Sequence, residues 1–287
     1  MNTDHKVLAC VDQSAFADHV TDYAAWAAQR MAAPLELLHV IDRHPETSAS
    51  QDHSGSLTPN AQESLLGELT EADALRSKAA REQGRLFLNR LRERALAAGV
   101  QTVDVRQRLG HLDETLHEQQ DGVRLFVLGR RGASAQSIQR DLGRNVERVV
   151  RALDRPILTV TDGFKAPERV LIAFDGSSIT RKGVEMVAGS PLFRGLPVHL
   201  LMAGRARHDG PKHMAWAIVK LEAAGLGVVG EIVPGDPKTV IGQAVLSKGI
   251  DLLVMGAYTH SPVRSLFLGS KTADLLRAAR IPTLLLR

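Results

Sequence analysis

The sequence predicts an α/β protein of two tandem doubly wound domains, each a five-stranded parallel sheet flanked by helices. Three observations carry this prediction. The first is an internal repeat. Val7-Leu8-Ala9-Cys10-Val11-Asp12-Gln13-Ser14 returns as Val170-Leu171-Ile172-Ala173-Phe174-Asp175-Gly176-Ser177. The second is a set of short apolar runs rich in Val, Ile and Leu, the pattern of strands buried on both faces. The third is their alternation with longer helical patterns. A β-α-β-α order requires parallel strands joined by right-handed crossovers.

Each element follows in chain order. The first strands are the two repeated runs, and Ser14 and Ser177 are expected to cap the helices after them. Second runs start at the same interval in both halves, Leu35–Val40 and Val198–Ala203. Residues 44–60 are rich in Ser, His and Pro and read as a polar loop that lengthens the first half. From Ala61 to Ala98 the chain is rich in Ala, Leu, Glu and Arg without Pro, which predicts a long helix stopped by Gly99. Its shorter counterpart is His208–Ala224, before Gly225. Helices at Asp113–Gln120 and Pro237–Lys248 precede the strands Leu125–Gly129 and Leu252–Gly256. Helices at Arg144–Leu153 and Lys271–Ala279 precede the last strands, Pro156–Val160 and Pro282–Leu286. The repeat divides the chain into domains at 1–162 and 166–287, joined at Thr161–Pro167.

Composition excludes several classes. The chain has 287 residues, 44% hydrophobic and 24% charged, which suits a soluble globular protein rather than a disordered chain or a small disulfide scaffold. Aromatics are only 4%, so the core is aliphatic. Thirty-six basic against 32 acidic residues give a net charge of +4 with no dense basic block, so no nucleic-acid partner is expected. The lone Cys10 lies in an apolar run, reads as an inert core thiol and fits a reducing compartment. The amino-terminal residues lack the pattern of a signal peptide, and no apolar run is long enough to cross a bilayer. A cytoplasmic protein without membrane contact is expected.

Open α/β sheets bind ligands beyond the carboxyl ends of their strands, where the strand order reverses. That rule selects Asp12 and Asp175 after the first strands, and Val40 and Ala203 at the ends of the second. It also selects Gly129 and Gly256 after the fourth apolar runs, and Gly143 and Gly269 before the last helices. Glycine lets a ligand approach the backbone, and amides at a helix start suit a phosphate. The same glycines also serve as plain turns.

At these residues each half resembles a universal stress protein domain, and the whole chain resembles the tandem form of that family. Nucleotide-binding members carry G-x2-G-x9-G-(S/T) between the fourth strand and the last helix. The second half has Gly256, then Thr259 in place of the second glycine, then Gly269-Ser270. The first half has Gly129 and Gly132, then one extra residue before Gly143-Arg144-Asn145. The resemblance implies that Asp175 and Asp12 lie beside the nucleoside. It implies that Ala203 and Val40 contact adenine through their backbones, and that Met255 and Leu128 flank the base. Phosphates would be held by Gly256, Thr259, Gly269, Ser270 and Thr272, and in the first half by Gly129, Gly132, Gly143 and Asn145. Thr259 puts a side chain where bare backbone is expected, and Arg144 puts a charge where a small hydroxyl is expected. The second domain is therefore the favoured site.

Other signals carry less. Gly225-Leu226-Gly227-Val228-Val229-Gly230 matches a dinucleotide fingerprint but follows a helix and enters a strand, the reverse of the required context. Gly269-Ser270-Lys271-Thr272 lacks the glycine that directly precedes a P-loop lysine, and Lys271 reads as a solvated first-turn residue. His208, Asp209 and His213, and likewise His111, Asp113, Glu114 and His117, read as solvated surface rather than metal sites. No general base for hydrolysis stands out.

The expectation is a cytoplasmic stress-response protein that binds ATP or ADP, with or without Mg²⁺, and acts as a regulatory binding switch read by a protein partner of unknown identity. An interaction protein with vestigial pockets and a slow ATPase are the alternatives, so enzymatic activity stays open. By the same resemblance the two domains pair in cis through Ile157–Val160 and Leu284–Leu286, and a homodimer of chains stays open.

Overall fold

The structure, a computed structural model, describes residues 5–41, 59–130, 144–204, 209–256 and 281–286. The first half runs β1 (Lys6–Cys10), α1 (Ala17–Met31), β2 (Leu35–Ile41), α2 (Pro59–Ala97), β3 (Val103–Leu109), α3 (Leu112–Gln119), β4 (Val123–Gly129), α4 (Arg144–Ala152) and β5 (Ile157–Val160). The second runs β6 (Val170–Ala173), α5 (Ser178–Gly189), β7 (Val198–Ala203), α6 (Gly210–Ala223), β8 (Val228–Val233), α7 (Pro237–Ser247), β9 (Leu252–Gly256) and β10 (Thr283–Leu286).

The ten strands form one sheet in the order β3-β2-β1-β4-β5-β10-β9-β6-β7-β8. Within each half all pairings are parallel. The halves meet at an antiparallel seam, with Thr283 opposite Thr159, Leu284 opposite Leu158 and Leu285 opposite Ile157. The two five-stranded sheets are thus fused edge to edge, and neither last strand is left bare.

Alternation along the strands sorts the core into two layers. Val7 and Ala9 face one layer with α1, α2, α5 and α6; Leu8 faces the other with α3, α4 and α7. Helix α1 is almost wholly apolar on its sheet side, through Val20, Tyr23, Ala24, Ala27 and Met31. It ends at Ala32, whose φ of 48° marks the left-handed stop. Gly99, with φ of 97°, ends α2 as expected. The long helix begins at Pro59, so the last two residues assigned to the polar loop are helical; 42–58 lie outside the described residues. The expected helix over Lys271–Ala279 and the start at His208 also lie outside them.

One capping expectation fails. Ser177 caps α5, its side chain accepting from the Thr180 amide. Ser14 does not cap α1, which starts later, at Ala17 after Phe16. Ser14 is instead buried beneath Asp12, and its hydroxyl accepts from the Phe16 amide at 3.3 Å. The repeat in sequence therefore hides different helix starts.

Further contacts tie the halves. Arg30 on α1 donates to the Leu192 carbonyl at 2.7 Å and to the Arg194 carbonyl. The Tyr23 hydroxyl donates to Gly163 O and accepts from Lys165 N, both at 3.3 Å, and its ring meets Phe164 edge-on. Asp251 then takes the Lys165 ammonium at 2.6 Å and the amides of Glu168 and Arg169 at 3.2 Å. The linker is clasped from both sides.

Candidate functional site

The strand order reverses twice, between β1 and β4 and between β6 and β9. At each reversal the crossovers leave to opposite faces, so a crevice forms beyond the carboxyl ends of the central strands. Asp12 follows β1, Val40 lies near the end of β2, and Leu128 and Gly129 end β4. Asp175 follows β6, Ala203 ends β7, and Met255 and Gly256 end β9. The topology brings each of these sets to one end of its half-sheet.

The remaining predicted residues are not all described. Gly132, Gly143, Thr259, Gly269, Ser270 and Thr272 lie outside the described residues, as does Lys271. Asn145 is on the first turn of α4, and its side chain lies outside them too.

Both aspartates are held by their own turns. Asp175 Oδ1 accepts from the Ser177 amide at 2.9 Å and from the Thr180 hydroxyl at 2.8 Å. Asp12 Oδ1 accepts from the Ser14 amide at 3.2 Å and from the Ser14 hydroxyl. These are Asx turns, which fix each carboxylate at the mouth of its crevice. The negative charge of Asp175 also sits at the start of α5, where it offsets the positive end of the helix dipole.

The backbone around each crevice is pinned by the sheet. Val11 N donates to Leu38 O and Phe174 N to Leu201 O, both at 2.9 Å. Gly204 N donates to Val233 O at 3.2 Å, which carries the ladder past Ala203. The side chains of Leu128 and Met255 are only 3% and 4% exposed and belong to the core layer under α3, α4 and α7. Cys10, Val40 and Ala203 border that layer. Desolvation pushes the Cys10 thiol far above its ordinary range, with Glu36 adding to the shift, so it stays neutral, though it is half-buried at the border of the core rather than inside it.

Gly256 has a packing reason to be glycine. A Cβ there would come within 3.1 Å of Ile179 Cγ2 on α5. Gly176 adopts φ of 76°, and a Cβ on it would meet the His213 ring at 2.9 Å. That contact corrects one expectation: His213 is half-buried and lies against the turn that carries Asp175. Asp209 is exposed, as are His111 and His117, and Asp113 pairs with Arg148 at 3.0 Å. No group of three metal-ligating side chains occurs among the described residues.

Arg130 is a second residue that sequence reasoning missed. It directly follows Gly129, and its guanidinium crosses β5 to donate to Ile281 O at 2.8 Å and Thr283 Oγ1 at 2.7 Å. The end of the first crevice is thus tied to the second half.

Comparison with known proteins places these features in a family. The universal stress protein family matches residues 4–161 and again residues 167–287. Universal stress protein Slr1230 of Synechocystis sp. is 33% identical over 284 residues, covering 98% of this chain and 99% of that protein. A crystal structure of a universal stress protein from Archaeoglobus fulgidus is similar across 99% of this chain and 96% of its own, with a TM-score of 0.73 at 17% identity. Protein PA1789 of Pseudomonas aeruginosa, of unknown function, is similar across 99% of this chain and 93% of its own, with a TM-score of 0.60 at 15% identity. The chain carries two copies of one domain and belongs to the universal stress protein family.

Proposed function

We propose that this protein binds an adenine nucleotide, ATP or ADP, in the crevice of its second domain and acts as a regulatory switch rather than a fast catalyst. The observation that carries the reading is the convergence of Asp175, Ala203 and Gly256 at the reversal between β6 and β9. Asp175 is already oriented by Ser177 and Thr180, so a nucleoside hydroxyl meets a fixed acceptor. Ala203 presents backbone and almost no side chain toward a base. The dipole of α5 is offset by Asp175, so phosphate recognition falls to the segment carrying Gly269 and Ser270. A nucleotide bound there shifts the protein toward one surface state that a partner reads.

Thr259 and Arg144 favour a second reading, an interaction protein whose pockets have lost their ligand. Melting curves separate the two. Saturating ATP is expected to raise the melting temperature of the wild type by mass action. Gly269→Asp places a carboxylate in the phosphate site and is expected to abolish the shift while melting normally without ligand. A full shift in that variant contradicts the assignment of the site, and no shift in either protein supports the second reading.

A further inference from the structure

Strands β3 and β8 end the sheet and occupy equivalent places in the repeat, Val103 lying opposite Leu35 and Val228 opposite Val198. Their edges differ. β3 carries Asp104, Arg106 and Arg108, a charged edge of the kind that discourages strand addition. β8 reads Val228-Val229-Gly230-Glu231-Ile232-Val233, and its one charge is paired within the chain to Lys248 at 2.9 Å. Where β3 has Asp104, β8 has Val229, which is 59% exposed. Ile232 is 37% exposed, and Val219 on the adjoining α6 is 64% exposed. Gly230 has a packing reason, since a Cβ there would meet Ile218 of α6 at 2.6 Å.

The ladder fixes which backbone groups face outward. Val198 N donates to Gly227 O and Gly204 N to Val233 O, so residues 227, 229, 231 and 233 bond toward β7. The N–H and C=O groups of Val228, Gly230 and Ile232 face away from it. No described strand pairs with them.

We propose that this edge is a self-association surface, at which a second copy of the chain adds its own β8 in antiparallel register. A two-fold centred on Gly230 sets Gly230 against Gly230 and Val228 against Ile232, and all three outward residues of each strand are then bonded. The same register sets Val229 beside Glu231 of the other copy, whose aliphatic stem covers it, and keeps the two glutamates diagonal. Moving the register one step toward Glu231 sets the glutamates directly opposite each other, which like charges disfavour. The Gly230-centred register is therefore the one that bonds all three outward residues of both strands and keeps the glutamates apart. The chain already uses antiparallel strand addition at its β5–β10 seam.

Sedimentation velocity on the full chain over a range of concentrations tests this. The wild type is expected to reach twice the chain mass, and Val229→Glu, which sets a like charge directly opposite Glu231 of the other copy, to weaken the dimer at least about tenfold. Asp104→Lys, at the equivalent place on β3, is the control and is expected to leave the dimer intact. In the dimer, hydrogen exchange at Val228, Gly230 and Ile232 slows, and in Val229→Glu it is fast. A chain that stays monomeric overturns the proposal and leaves the edge to a strand of another protein. A dimer indifferent to Val229→Glu overturns it as well. Val229 is exposed, so a cooperative melting transition, apart from the shift that loss of the dimer itself causes, shows that the variant is folded.

Discussion

Arg130 shows how one side chain can matter to two domains. Its guanidinium donates to Ile281 O and Thr283 Oγ1, and Thr159 Oγ1 donates to Thr283 O at 3.1 Å, all beside the seam. Arg130→Ala removes the donor to Thr283 Oγ1 and one of the donors to Ile281 O, which keeps the Thr283 hydroxyl at 3.3 Å, and a cost of about 1–3 kcal/mol is expected from the shift of the urea midpoint. His199 illustrates a pH effect. Burial, then Lys248 and Arg169, hold its pKa below the ordinary 6.5 against the opposing pull of Glu231. The unfolded chain then takes up the proton first, so this contribution is complete above about pH 6.5 and is lost as the pH falls below it. His199→Gln is expected to flatten the urea midpoint between neutral and mildly acid pH; an unchanged slope contradicts the assignment. Cys10, held neutral by burial, is expected to resist thiol reagents at neutral pH until the protein unfolds.

At the scale of elements, the repeat made the strands legible. Continuous apolar runs such as Leu125–Gly129 and Leu252–Gly256 have one plausible structural use, a strand covered on both faces. Helix ends were legible where glycine forces them, as at Gly99. They were not legible where two similar turns settle differently. Ser177 and Ser14 match in the repeat, yet only Ser177 caps its helix. Ser177→Ala is therefore expected to cost about 0.5–2 kcal/mol through lost capping of α5. The candidate site was legible only in part, for a physical reason. Asp12, Asp175 and the strand-end residues follow from topology alone. His213 beside Gly176 and Arg130 across β5 are contacts between elements distant in sequence, and no local pattern announces them.

The whole molecule is one sheet with two crevices, and its halves are joined by more than a linker. The seam, Arg30, Arg130 and the clasp on Tyr23 all cross between them. Opening one half strips partners from the other, so a single cooperative unfolding transition is expected in calorimetry. Two separated transitions would show that the seam couples the halves weakly. The same coupling gives a nucleotide in one crevice a route to the other half, provided the crevice binds one. The most direct measurement is a calorimetric titration of nucleotide-stripped protein with ATP, ADP and AMP, with and without Mg²⁺. The predicted result is micromolar binding of ATP or ADP that is lost in Gly269→Asp. Absence of heat at millimolar nucleotide would contradict the nucleotide switch.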